Sequence, residues 1–171
     1  MKKSIITYGI IAGSIVSLML FLSFGTFLKN SEYGELIGYS TMIVAFATIF
    51  FAIRSFRDTN LGGNISFSEG LKLGLGITLV ATVMYVLAWM IISNTIAKDF
   101  MTEYFQQSVE KLQASDLSQM EIDKKIEEME KFNEMYKNPF VKIGITFLEI
   151  FPVGFLVTLV SAFLLKRNKL S

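Results

Sequence analysis

Glu149 is the one charged residue inside an otherwise uncharged apolar run, and Pro152, three residues on, lacks the N–H that would bond the carbonyl of Leu148. If the run is a membrane-crossing helix beginning at Ile143, the carboxyl lies about 9 Å into it at about 1.5 Å per residue. A charged carboxylate at such a depth costs about 2.5 to 3.5 kcal/mol on insertion scales, so an acid in a span usually faces the bundle interior and marks function. Glu149 and Pro152 are therefore expected to form a polar notch beside a local helix break. Two roles fit it. One is a protonated acid that bonds a neighbouring helix or tilts to the outer surface; the other is proton exchange in a small proton-coupled carrier. Tyr85 and Ser93 complete the polar set that an enzyme acting on lipids could draw on, but no nucleophile and base spacing joins them.

The rest of the composition removes most other chemistry. The chain has 171 residues with no Cys and no His, which excludes disulfides, thiolate nucleophiles, imidazole bases and the usual zinc ligand sets. No calcium-loop spacing occurs among Asp116, Glu121 and Asp123, so no metal, cofactor or catalytic residue is assigned. A net charge of +1 with acids and bases sorted by segment gives nucleic-acid binding no support. Hydrophobic residues make up 52% and charged ones only 18%, a balance that points to the lipid bilayer as the solvent.

The elements that must position Glu149 follow from run length, since a helix crosses the hydrocarbon core in about 20 residues. Four apolar runs qualify, at 5–28, 36–53, 73–96 and 143–165. The first is too long an uncharged stretch for a secretory signal and no Ala-x-Ala-like site follows, so it reads as a retained helix. The fold class is thus all-α: a polytopic membrane protein in a single domain over 1–171. Lys2, Lys3, Arg54, Arg57, Lys72, Lys166, Arg167 and Lys169 fall on one side against Asp58 and Glu69, a net of +6. Lys29, Glu32, Glu35 and the segment 97–142 fall on the other, a net of −4. Positive flanks tend to stay in the cytoplasm, which predicts both termini there and places 97–142 outside.

Each run also carries small residues at helical spacing, which lets helices approach closely in lipid. Gly9 and Gly13 mark the first, Gly38 the second, Gly70 and Gly74 the third, and Gly154 with Thr158 the fourth. Packing within one bundle is the expected use, with a dimer face as the alternative. Arg54 and Arg57 are placed to snorkel to the interface, Gly62-Gly63 supplies a turn, and Ser66 with Glu69 matches a capping box that starts the third helix early.

Segment 97–142 is rich in charge yet keeps helical periodicity. Met101, Tyr104, Phe105, Val109 and Leu112 trace one face; Ile122, Ile126, Met129, Phe132 and Tyr136 trace a second. Ser118 with Glu121 forms another capping box, and Asn138-Pro139 ends the second helix. The expected object is an extramembrane helical hairpin inserted between the third and fourth spans. The two stripes are expected to pack on each other within the hairpin, and the second, Ile122 to Tyr136, is also the candidate partner surface, for lipid headgroups, another membrane protein or a second copy.

Ile65-Ser66-Phe67 and Gly70-Leu71-Lys72-Leu73-Gly74, followed by Tyr85 and Trp89, and then Asn138-Pro139, Thr146-Phe147-Leu148-Glu149, Phe151-Pro152-Val153-Gly154 and Lys166-Arg167, occur in a recognisable order. In these the chain resembles the bacterial membrane proteins grouped as domain of unknown function 4199. The resemblance implies a four-helix protein of the bacterial inner membrane. It carries over no activity and no ligand residue. A non-enzymatic structural or interaction protein working through the hairpin is the leading expectation, and a small carrier built on Glu149 the alternative.

Overall fold

The computed structural model describes residues 1–25 and 34–167. Six helices follow one another: α1 Lys2–Gly25, α2 Gly34–Asn60, α3 Phe67–Thr95, α4 Phe100–Gln113, α5 Gln119–Tyr136 and α6 Pro139–Leu165. Of these α1, α2, α3 and α6 are long and apolar enough to cross a membrane. The expected end of the first span at Leu28 and the charge flanks Lys29, Glu32 and Lys169 lie outside the described residues.

Three of the spans extend past their apolar runs, each for a local reason. In α3 the Ser66 N–H donates to Glu69 Oε2 at 2.9 Å and the Glu69 N–H donates back to Ser66 Oγ at 3.2 Å, so the helix starts at Phe67. In α6 the Asn138 side chain accepts from the Phe140 N–H at 2.9 Å, and Pro139 opens the helix. At that first position the missing N–H has no helical partner to lose. In α2 the helix runs on through Arg54 and Arg57 to Asn60, and Gly62 and Gly63 take the positive φ values of 62° and 87° that let the chain reverse.

The spans associate through their small residues. α1 packs on α3, with Gly9 against Val80 and Gly13 against Met84 and Ala81. α3 packs antiparallel on α6, with Gly70 against Ala162, Gly74 against Thr158 and Gly154 against Thr78. A Cβ added at Gly74 would lie 2.5 Å from Thr158 Cγ2, so the glycine sets the distance between the two helices. Gly38 departs from the expectation: nothing lies within 4 Å of where its Cβ would be. Around the α2, α3 and α6 contacts the core closes over Phe46, Ile49, Ile53, Leu73, Ile77 and Ile150, all fully buried.

At the end of the bundle that holds Arg57 the chain is tied together by backbone. Ile65 and Arg167 exchange antiparallel hydrogen bonds of 3.1 and 2.9 Å. Arg57 does not snorkel outward as expected. It is buried, donates from Nε and Nη2 to Asp58 at 2.7 and 3.2 Å, and reaches the Leu165 carbonyl with Nη1 at 3.4 Å. The last carbonyls of α6 lack helical donors, and a cation there also meets the negative end of the helix dipole. Between α3 and α6 in sequence, α4 and α5 contact each other, and α5 contacts α6.

Candidate functional site

Glu149 lies ten residues into α6, and its Oε1 accepts a hydrogen bond from the hydroxyl of Tyr85 on α3 at 3.2 Å. Tyr85 is buried at 5% exposure, whereas Glu149 is exposed on the flank of the bundle. The acid is therefore bonded to a neighbouring helix, as one role requires, but is not enclosed in the bundle interior. Pro152 is exposed too, and α6 continues through it without a break. The Leu148 carbonyl still lacks the N–H of Pro152, so the local loss is one hydrogen bond inside a continuous helix.

Tyr85 belongs to a row of polar contacts along α3. Toward one end Thr78 Oγ1 and Thr158 Oγ1 lie 3.2 Å apart, fully buried, and Thr82 Oγ1 is buried without a partner. Toward the other end the Trp89 Nε1–H donates to the Tyr136 hydroxyl at 2.7 Å, and Lys142 Nζ donates to Ser93 Oγ at 3.4 Å. Lys142 Nζ also stands 5.4 Å above the Tyr136 ring. Residues 78, 82, 85, 89 and 93 recur at spacings of four, three, four and four, the period of one helix face. That spacing was the available signal. The partner is not in that spacing: Tyr136 lies 47 residues from Trp89 in sequence, on another helix.

Of the five residues expected on a partner surface, two are already taken up by the chain itself. Ile122 and Tyr136 are buried, Ile126 and Met129 are half-buried, and Phe132 is exposed at 39%. Burial pushes the Tyr136 hydroxyl above the ordinary tyrosine range, so it stays neutral and accepts the indole proton. At the opposite end of α5, Glu121 Oε2 accepts from the Ser118 N–H at 3.0 Å and from Ser118 Oγ at 2.7 Å, which holds that carboxyl below the usual range.

Among the described residues none in α4 is buried, although its apolar positions lie on one face. Those positions and the half-buried part of the α5 stripe border a cavity of about 510 Å³, with Met101, Tyr104 and Phe105 on one wall and Met129 and Phe132 on the other. A much smaller cavity of about 40 Å³ lies between α1, α2 and α3, where Ser23, Thr41 and Tyr85 contribute to its lining. Two places thus combine accessible side chains with distinctive chemistry: the Tyr85–Glu149 pair on the bundle flank, and the aromatic cleft between α4 and α5.

Comparison with known proteins gives one match. A family described as "Protein of unknown function (DUF4199)" covers residues 7–167. No curated protein and no solved structure matches the chain.

Proposed function

We propose, for a chain that belongs to the DUF4199 family of proteins of unknown function, a non-enzymatic role in association at a membrane. In this reading α1, α2, α3 and α6 cross the inner membrane of a bacterium with both termini in the cytoplasm. α4 and α5 form an antiparallel hairpin on the outer side and are the working part. The observation that carries it is the unequal use of α5. Its end at Tyr136 is fixed to Trp89 of α3, while the cleft it shares with α4 stays open and Tyr104, Met120, Phe132 and Met135 are exposed. A monomer that needed the hairpin only as a connection would bury those groups or replace them with polar ones.

Two measurements test this. Single cysteines can be added directly, because the chain has none of its own. In intact cells a membrane-impermeant thiol reagent is expected to reach cysteines at Gln113 or Lys125 and to miss one at Asn60; the reverse pattern overturns the orientation. Photo-crosslinking residues at Tyr104 and Phe132 are expected to give discrete adducts in cells, and adducts no more frequent there than at exposed Glu130 would overturn the association role.

The alternative reading, a small proton-coupled carrier, is favoured by the Tyr85–Glu149 hydrogen bond on an exposed flank within the span. Proton flux in vesicles that Glu149→Gln abolishes would support it, and flux that survives the substitution would sink it.

A further inference from the structure

Glu149 poses a problem that a single copy of the chain does not solve. Its Oε1 accepts the Tyr85 hydroxyl at 3.2 Å, and Tyr85 is its one hydrogen-bond partner among the described residues. The carboxyl is nonetheless exposed, about 15 Å from the start of α6 at about 1.5 Å per residue. Leu148, Pro152 and Leu156, all exposed, share its side of the helix. With α6 crossing a bilayer, that face meets hydrocarbon, which offers no hydrogen-bond partner and disfavours an ionised acid. A neutral carboxyl there has an O–H of its own to place. Oε1 already accepts from Tyr85, so the proton belongs on Oε2, and no described group of the chain receives it. The Leu148 carbonyl, which lacks the N–H of Pro152, adds a second under-used polar group on the same side.

We infer that two copies of this chain associate through the outward face of α6, each Glu149 carboxyl donating from Oε2 to Oε1 of the other across a two-fold axis. The inference goes beyond the roles proposed above and rests only on the reading that α6 crosses the membrane.

The chemistry of the acid selects the occupant. A neutral carboxyl carries one donor and spare acceptor sites, so it is its own complement: two of them close a pair of reciprocal hydrogen bonds with no donor left over. A two-fold interface brings a residue onto the same residue of the second copy, which is the arrangement this pairing needs. A different protein would have to bring an acceptor to the same depth, and acyl chains bring none. Tyr85 ties Oε1 to α3, which restrains the carboxyl while leaving Oε2 unused. Beside it, Leu148, Pro152 and Leu156 recur every four residues as one ridge, with the shortest side chain in the middle, so a second helix can come closest within a turn of Glu149. Hydrogen bonds between helices are a recognised source of association in lipid.

The test uses the full chain in membranes of expressing cells, with single cysteines added to a sequence that has none. Near a two-fold axis a cysteine meets its own counterpart. Cysteines at Leu148 or Leu156 should therefore form disulfide-linked dimers on mild oxidation at about ten times the yield of cysteines at Leu18 or Leu87, which are similarly exposed but lie on α1 and α3. Glu149→Leu, which removes both reciprocal bonds, should cut the Leu148 yield about tenfold. Glu149→Gln, whose amide is also self-complementary, should keep it. Equal yields at all four positions overturn the inference, as does a Leu148 yield that Glu149→Leu leaves unchanged. Adducts of Leu148 to another protein without dimers give the face to a different partner and overturn it too. Should Glu149→Leu fail to insert, nitroxides on cysteines at Leu156 in the otherwise native chain and in Glu149→Gln carry the test: strong coupling between copies supports the pair, and its absence overturns it. Cysteines at Phe140 and Lys166 check the premise with an impermeant thiol reagent. Labelling of both from one side would mean that α6 does not cross, which sinks that reading and the inference together; opposite labelling without dimers sinks the inference alone.

Discussion

Where α3 meets α6 the contacts are made by Gly70, Gly74 and Gly154 against Ala162, Thr158 and Thr78; where α4 meets α5 they are made around Met, Tyr and Phe, and a cavity stays between them. In the proposed topology the difference follows from the surroundings of each pair, lipid for α3 and α6 and water for α4 and α5. In lipid, apolar side chains gain nothing by leaving the solvent, so helices are held by close backbone approach and buried hydrogen bonds such as Thr78–Thr158. In water, apolar area is the driving force, and large side chains would be expected to fill the space between two helices. α4 and α5 carry the large side chains without the closure. Small residues fix one pair at a single distance, and large ones leave an open cleft between the helices of the other.

The comparison breaks most readily at Gly74. A side chain there would meet Thr158 Cγ2 at 2.5 Å, Thr158 Oγ1 at 2.9 Å and Ile49 Cγ2 at 3.1 Å, all in the fully buried core. Gly74→Leu should destabilise the bundle by about 3 kcal/mol, the upper end of ordinary overpacking costs. Gly144→Ala, where nothing lies within 4 Å, should have no measurable cost. Thermal unfolding in detergent, followed by the single tryptophan, measures both. Equal midpoints for the two variants would remove the basis for saying that glycines set the interhelical distance.

Next in size is the link between the two regions. Tyr136→Phe removes the acceptor of the Trp89 indole N–H and should cost about 1 kcal/mol, the usual net worth of such a bond, plus any penalty for the stranded donor. The loss should appear as faster proteolysis of α4 and α5 and a shift in Trp89 emission, with the unfolding of the spans unchanged. If the spans loosen equally, α4 and α5 are part of the same cooperative unit and the contrast between the regions fails.

These two sites also show what was readable in advance. The apolar runs, both capping boxes and the small-residue faces of α1, α3 and α6 are local patterns, fixed by residue type and spacing within one helix, and they match the described residues, whereas Gly38 in α2 does not make the close contact its spacing suggests. Arg57, Tyr136 and Glu149 depend on which neighbour lies across the gap. A periodic stripe shows that one face is apolar but not what covers it: the spacing leaves the facing helix, the bilayer surface and a partner open for Tyr136, and the structure buries it on Trp89 of α3. An arginine beside an interface is drawn to water by default, but the unpaired carbonyl of Leu165 gave Arg57 a buried partner from a helix 108 residues away in sequence.

At Glu149 a smaller effect is expected. The Tyr85 hydroxyl donates to Oε1, and Glu149→Gln keeps an acceptor oxygen at that place. Folding and insertion should change by no more than about 0.5 kcal/mol, the range of substitutions that spare packing and buried partners. Tyr85→Phe, which removes the donor, should cost about 1 kcal/mol, the usual net worth of one hydrogen bond. Expression and unfolding midpoint in detergent rank the two. A Gln variant that fails to insert would mean that the carboxyl does something in assembly beyond accepting one hydrogen bond.

The smallest expected effect is a pH dependence at the first turn of α5, one that the first turn of α3 shares because it carries the same Ser–Glu cap, and that the buried core lacks. Glu121 is held below its ordinary range by the Ser118 side chain first and the Ser118 backbone N–H second. A carboxyl whose folded value is depressed contributes stability that is fully present above its unfolded value, about 4.3, and is lost as pH falls through the folded value. Acidification below about pH 4.3 should therefore fray the first turn of α5. The N–H groups of Glu121 and Ile122, which both bond the Ser118 carbonyl at 3.0 Å, are the reporters: their hydrogen exchange should accelerate in that window. Glu121→Gln keeps a reciprocal acceptor without the charge, so its exchange should start faster and vary less with pH across the same range. Amides around Leu73 and Ile77 in the buried core should show no such dependence. Uniform acceleration of both regions would mean that protonation acts on the whole molecule, and a Glu121→Gln variant with the wild-type pH profile would show that another group titrates instead.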